Sequence, residues 1–273
     1  MIVMKRTAPD GKICAALKQV LCLVAWLLLY GAPTNLFRAG FADGTHVVFE
    51  GLAALSLGVL YLRDRSLPRG RGSTGCRHVF LVLVPAAVLG RLASGIFLHA
   101  GTPLYMRDVD AALGPGMYKW YVLRTCVTAP LMEEVGCRWI AFGRTRRHAG
   151  FWPSALLSAA MFSLIHASVN PRLVVSVIPG AFLRCLVYEL TGKLRWCVAE
   201  HMAYNMLCLP AAPWVTPRWA NRYAGVPREA GVPVLAAVTA LMVLLCAFRK
   251  RVFRGDGGGR GDFPKDPGVR PRN

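Results

Sequence analysis

Acidic residues are scarce in this chain: 14 Asp and Glu stand against 33 Lys and Arg, a net charge of +19, and charged residues of both signs fill only 17% of the 273 positions. A soluble globular domain carries about a quarter of its residues charged, so a surface meant for water is excluded. The basic excess does not form the stripe that nucleic-acid binding needs, because Lys and Arg fall between apolar runs and in the C-terminal tail; no nucleic-acid partner is expected. There is no C-x-x-C pair, no H-E-x-x-H, no glycine-rich phosphate loop and no internal repeat. The nine cysteines lie mostly in or beside apolar runs and read as small buried hydrophobes rather than a disulfide or zinc framework.

What the chain has in abundance is apolar length. Hydrophobic residues make up 55% of it and its mean hydropathy is +0.41. A bilayer core about 30 Å thick is crossed by about 20 apolar residues in a helix. About eight such runs occur, at 14–31, 45–62, 78–100, 117–143, 149–169, 172–191, 195–213 and 232–249. The first follows Lys5, Arg6 and Lys12 as a signal peptide would, but lacks a small-residue cleavage site and reads as an uncleaved helix. The expected fold is therefore all-α, a polytopic membrane bundle of about eight transmembrane helices over residues 1–250, with the lipid bilayer as its surroundings.

Loop charge gives orientation. Arg63, Arg65, Arg69, Arg71 and Arg77 fill the second loop, Arg144, Arg146 and Arg147 the fourth, and Lys193 and Arg195 the sixth, while Arg249, Lys250 and Arg251 open the tail. Alternate loops are thus basic, which places both termini in the cytoplasm of a multi-pass protein of the cell membrane, although Arg218, Arg222 and Arg228 depart from the pattern. Residues 251–273 are rich in Gly, Pro and charge and read as a disordered basic cytoplasmic tail.

Ionisable residues within apolar runs are costly, so each is a functional suspect. Glu50, Arg91, Arg124, Glu133, Glu134, Arg138, His166, Arg184, Glu200 and His201 remain after those near run ends are set aside. At about 100° per residue Glu134 and Arg138 share a helix face and can pair, whereas Glu133 points away and is left for a cavity. A carboxylate in a low-dielectric pocket is a stronger base than one in water, which is what activating a water requires. In the next helix His166 follows Phe162 by one turn. Two helices later His201 and Asn205 share a face, both able to donate to one oxygen as side-chain oxyanion holes do. Each element alone reads as readily as an ion-pair cluster or a helix-to-helix hydrogen bond.

Together the three motifs resemble a known family. Glu133-Glu134-Val135-Gly136-Cys137-Arg138, Phe162 to His166, and His201 to Asn205 match E-E-x-x-x-R, F-x-x-x-H and H-x-x-x-N of the CAAX prenyl protease and bacteriocin-processing family, abbreviated CPBP or ABI, over about residues 117–210. The resemblance implies an intramembrane glutamic endopeptidase in which Glu133 and His166 activate water. It also implies that His201 and Asn205 stabilise the oxyanion, and that Glu134, Arg138 and Phe162 support them. Neither cofactor nor metal is implied, and the substrate is a membrane-anchored, prenylated or leader-bearing protein.

Two rivals stand beside this reading. Glu133, His166 and His201 could hold zinc, although Cys197 stands where an H-x-x-E-H motif needs histidine and Asn205 would have no role. The same polar residues could instead line a passage or pin helices in a non-enzymatic immunity or transport protein. Depth poses a separate difficulty. Counting about 1.5 Å per residue from the expected cytoplasmic ends puts His201 roughly 9 Å deep, Glu133 roughly 18 Å and His166 roughly 24 Å. That is not a level site.

Overall fold

A computed structural model of the protein describes residues 9–36, 44–64, 76–102, 118–166, 171–208 and 221–253, and every regular element among these is helical. The chain forms α1 (Pro9–Leu36), α2 (Gly44–Arg63), α3 (Cys76–His99), α4 over 118–147, α5 (Phe151–Leu164), α6 over 171–191, α7 (Leu194–Cys208) and α8 (Gly231–Val252). The tail expected to be disordered lies outside the described residues from 254 onward.

These helices stand where the eight apolar runs were read. Among the described residues, by length and composition, Gly44–Arg63, Phe80–His99, Arg172–Thr191 and Arg228–Val252 are long and apolar enough to cross a membrane, while the apolar stretches Ala16–Gly31, within α1, and Phe151–Leu164 are shorter. Length and apolarity thus support four of the eight expected spans. The physical reason is local: α4 and α7 carry the acids and bases of the three motifs, and α5 has only 14 residues.

Charged side chains are buried within the apolar core of the bundle, and large apolar side chains cover its outside. Leu28, Leu55 and Leu62 are each about 70% exposed, whereas Glu50, Glu134 and Arg138 are wholly buried. Such an arrangement would fail in water and suits hydrocarbon, so the chain is an integral membrane protein. At its centre the second half of α6, Ile178–Thr191, packs against α3, α5, α7, α8 and the second half of α4. α6 is interrupted at Val177 and restarts with Pro179 in its first turn, where a missing N–H costs nothing. It ends at Gly192, whose φ of 61° is left-handed and whose N–H closes on the Tyr188 carbonyl at 2.8 Å. Ser94 of α3 ties to α6 by donating to the Ser176 carbonyl at 2.6 Å.

α4 positions the site. It winds as an α-helix over Tyr118–Leu123, widens to a π-helix over Arg124–Thr128, returns to α over Ala129–Glu134, and widens again over Val135–Arg144. In the first wide turn the Ala129 N–H reaches back five residues to the Arg124 carbonyl. The next donor in that register would be Pro130, which has no N–H, so the Thr125 carbonyl must find its partner elsewhere. Neighbouring helices also feed α4 from the side: Trp26 Nε1 donates to the Met132 carbonyl at 2.9 Å, Ser158 Oγ to Cys137 at 2.7 Å, and Gln19 Nε2 to Ile140 at 2.5 Å. Wide turns of this kind recur at functional sites.

Candidate active site

Glu133 and Glu134 sit at the junction where α4 changes from α to π winding, both buried. Glu134 Oε2 pairs with Arg138 Nε at 3.0 Å, and its Oε1 lies 3.4 Å from Arg184 Nε. From α7, His201 approaches both acids: Nδ1 is 2.7 Å from Glu134 Oε1 and Nε2 is 3.6 Å from Glu133 Oε2. A carboxylate oxygen accepts, so Nδ1 carries the proton donated to Glu134, and Nε2 is aimed at Glu133. At 3.6 Å that second contact is a close approach and not a hydrogen bond. Glu133 and His201 therefore do meet at one level, contrary to the depth count. The count took one α-helical rise for the whole of α4, whose winding changes between α and π along its length.

Charge in this cluster does not balance. Arg184 also reaches Glu200, Nη1 donating to Oε2 at 3.4 Å, so the two guanidinium groups serve Glu134 and Glu200 while Glu133 stands beside them as a third carboxylate. Buried charge is tolerated only when compensated, and Glu133, whose ion-pair contact is with His201, is the acid left outside the guanidinium pairs.

Phe162 of α5 is the platform under this cluster. Arg138 and Arg184 stack on its ring with their guanidinium carbons 4.7 and 4.8 Å from the centroid. The same ring meets His166 at 4.9 Å and His201 at 5.4 Å between centroids. A ring face attracts cations and fixes their planes, so one aromatic holds both arginines and walls both histidines. His166 caps the end of α5, its Nδ1 donating to the Phe162 carbonyl at 2.7 Å, which leaves Nε2 as the acceptor of the neutral ring.

Asn205 lies one turn beyond His201 on α7, and its Nδ2 donates to the Thr125 carbonyl at 2.7 Å. That is the carbonyl stranded by Pro130. The residue expected at an oxyanion thus supplies the hydrogen bond that the wide turn of α4 lacks. Among the described residues no three His, Cys, Asp or Glu side chains are grouped as a metal site, so the zinc reading gains nothing from the arrangement. The cysteines beside the cluster, Cys137, Cys185 and Cys197, are buried free thiols.

A second polar cluster lies between α2 and the first turns of α4. Glu50 Oε1 accepts from Arg124 Nη2 at 3.0 Å and Oε2 from Thr128 Oγ1 at 2.9 Å. His46 Nε2 stands 3.1 Å from both Glu50 Oε1 and Arg124 Nε. One carboxylate here faces one guanidinium.

Sequence reasoning flagged Arg184 and Glu200 without giving them a task. It missed Tyr30 of α1, whose hydroxyl donates to Glu133 Oε1 at 2.8 Å. Tyr30 and Trp26 are spaced four apart in an apolar helix, a pattern that ordinary packing produces as well.

A family model described as type II CAAX prenyl endopeptidase Rce1-like matches residues 115–207. The match takes in α4 to α7 and all three motifs, so the resemblance to CAAX-type membrane endopeptidases is borne out over this segment and indicates a hydrolase of that kind. No curated protein and no solved structure matches the chain.

Proposed function

We propose that the protein is an intramembrane endopeptidase that hydrolyses a peptide bond of a membrane-associated substrate by water activated at Glu133 and His166. The observation that carries this is the uncompensated acid. Glu134 is neutralised by Arg138 and Arg184, while among the described residues Glu133 faces a histidine and a phenol.

Glu133, aided by the free Nε2 of His166, accepts a proton from water, and the hydroxide attacks the scissile carbonyl. His201 stabilises the oxyanion of the tetrahedral intermediate, with Glu134 holding its ring in place through Nδ1. Asn205 joins His201 when its amide leaves Thr125 for the substrate oxygen. The proton taken from water then passes to the departing amine nitrogen as the carbon–nitrogen bond breaks. Arg138, Arg184 and Phe162 fix the orientation of these groups and take no proton. Beside Glu200 a cavity of about 450 Å³, lined largely by apolar residues such as Leu83, Ala87, Leu183 and Leu207, has room for the hydrocarbon of a prenylated or otherwise anchored substrate. The basic loops at Arg63 and at Arg144–Arg147 support an orientation with both termini in the cytoplasm.

The test compares protein termini in membranes of cells carrying the native chain or Glu133→Ala. A precursor that persists only with the variant is the expected result. Unchanged termini, with the variant present at native level in the membrane, would count against proteolysis.

A further inference from the structure

The three motifs account for one side of Glu133, the side turned to His201. The other oxygen is held from outside the family segment. Tyr30, on α1, donates to Glu133 Oε1 at 2.8 Å, while Oε2 is the oxygen that faces His201 Nε2 at 3.6 Å. A carboxylate with one oxygen tied to a phenol keeps a single rotamer, and its second oxygen stays aimed at the histidine.

Tyr30 itself does not move freely. Its ring stacks on that of Trp26, one turn earlier, with centroids 5.4 Å apart and planes at 25°. Trp26 is 1% exposed, and its Nε1 donates to the carbonyl of Met132, the residue before Glu133. Its ring also lies over Gly136: a Cβ built on that glycine would sit 2.0 Å from the Trp26 ring, closer than any side chain permits. Gly136 lies inside the E-E-x-x-x-R motif, three residues after Glu133, so α4 is kept bare where α1 docks. Trp26 thus locks the backbone on one side of Glu133 and packs on its other side, and Tyr30 holds the carboxylate between them.

We infer that Tyr30 is a positioning residue for Glu133, carried by α1 and seated by the Trp26–Gly136 contact. This rests on the peptidase reading of Glu133 for its effect on rate, but not for its effect on the carboxylate. Tyr30 acts through Glu133 and requires no contact with substrate.

Tyr30→Phe removes only the hydroxyl and keeps the stack on Trp26, so the fold is retained. Two measurements on the purified full chain in lipid nanodiscs separate the possibilities. The first follows labelling of Glu133 by dicyclohexylcarbodiimide, read by mass spectrometry of the Glu133 peptide. The phenol occupies the oxygen that the reagent engages, so the variant should label several-fold faster at an unchanged thermal midpoint. An unchanged labelling rate overturns the inference whether or not the chain is a peptidase. The second follows cleavage of a farnesylated peptide ending in a CAAX sequence. Loss of one hydrogen bond to a charged group should lower kcat about 10- to 100-fold with KM within about twofold. Native kcat in the variant overturns the inference, as does a rise in KM alone. Failure of the native chain to cut this peptide would count against the prenyl-substrate reading, and the labelling result then decides the role of Tyr30 by itself.

Discussion

Two buried acid–base clusters lie within one bundle, and they differ in charge. Around Glu50, one carboxylate meets Arg124, Thr128 and His46, and both its oxygens are occupied. Around Glu133, Arg138 and Arg184 pair with Glu134 and Glu200 but not with Glu133, and the Glu133 oxygen nearest His201 makes no hydrogen bond to it. Both clusters tie neighbouring helices together. In the second, one acid stands outside the guanidinium pairs. A polar residue inside a membrane protein is therefore not enough to mark chemistry; the sign of chemistry is charge left over after the pairs are counted. His46 and Glu50 lie outside the matched family segment while Arg124 and Thr128 lie within it, and the Glu133 cluster lies within it apart from Tyr30.

The sharpest break between the clusters comes from removing each acid. Glu133→Gln should lower cleavage by about 10²- to 10⁴-fold, the size of a lost general base, with an unchanged amount of folded protein in the membrane. Glu50→Gln should do the reverse. It strands Arg124 in the interior and should cost about 3–5 kcal/mol of stability, read as a lower thermal midpoint in nanodiscs.

Asn205→Ala comes next. As an oxyanion donor its loss should slow cleavage by about 10²- to 10³-fold, and as the partner of the Thr125 carbonyl its loss should destabilise by about 1–3 kcal/mol. Both effects are expected, so a midpoint that falls with no change in rate would reduce Asn205 to a helix staple. Smaller again is Gly136→Ala, where the new methyl meets the Trp26 ring and should cost about 1–3 kcal/mol through forced repacking, with slower cleavage as Trp26 and Tyr30 are displaced. Gly58→Ala is its counterpart on α2. Nothing lies within 4 Å of a Cβ there, so the same substitution should stabilise by about 0.5–1 kcal/mol and leave cleavage unchanged.

Much of the Glu133 cluster was legible in the sequence because it obeys short-range rules. Glu134 and Arg138 pair as the i, i+4 rule requires, and the three motifs name the residues that gather around Phe162. What was not legible depends on winding and on neighbours distant in sequence. The depth count assumed one helical rise and placed Glu133 and His201 apart, whereas the two meet across α4 and α7. Pro130 signals a free carbonyl, but nothing in the chain says that Asn205, 80 residues away from Thr125, would fill it. Tyr30 escaped notice because a phenol in an apolar run is ordinary, whereas an ionised group or the amide of Asn205 is not. The bundle was legible as helices from apolar runs. Their number as spans was not, since α4 and α7 trade apolar length for the site they carry.

The most direct test places Glu133→Gln and Glu50→Gln side by side, scoring membrane-protein termini in cells and thermal midpoints in nanodiscs. The account expects a precursor to persist with Glu133→Gln at a native midpoint, and a lowered midpoint with Glu50→Gln. Equal loss of folded protein in both, or unchanged termini with a well-folded Glu133→Gln, would contradict it and leave the Glu133 cluster as a second structural one.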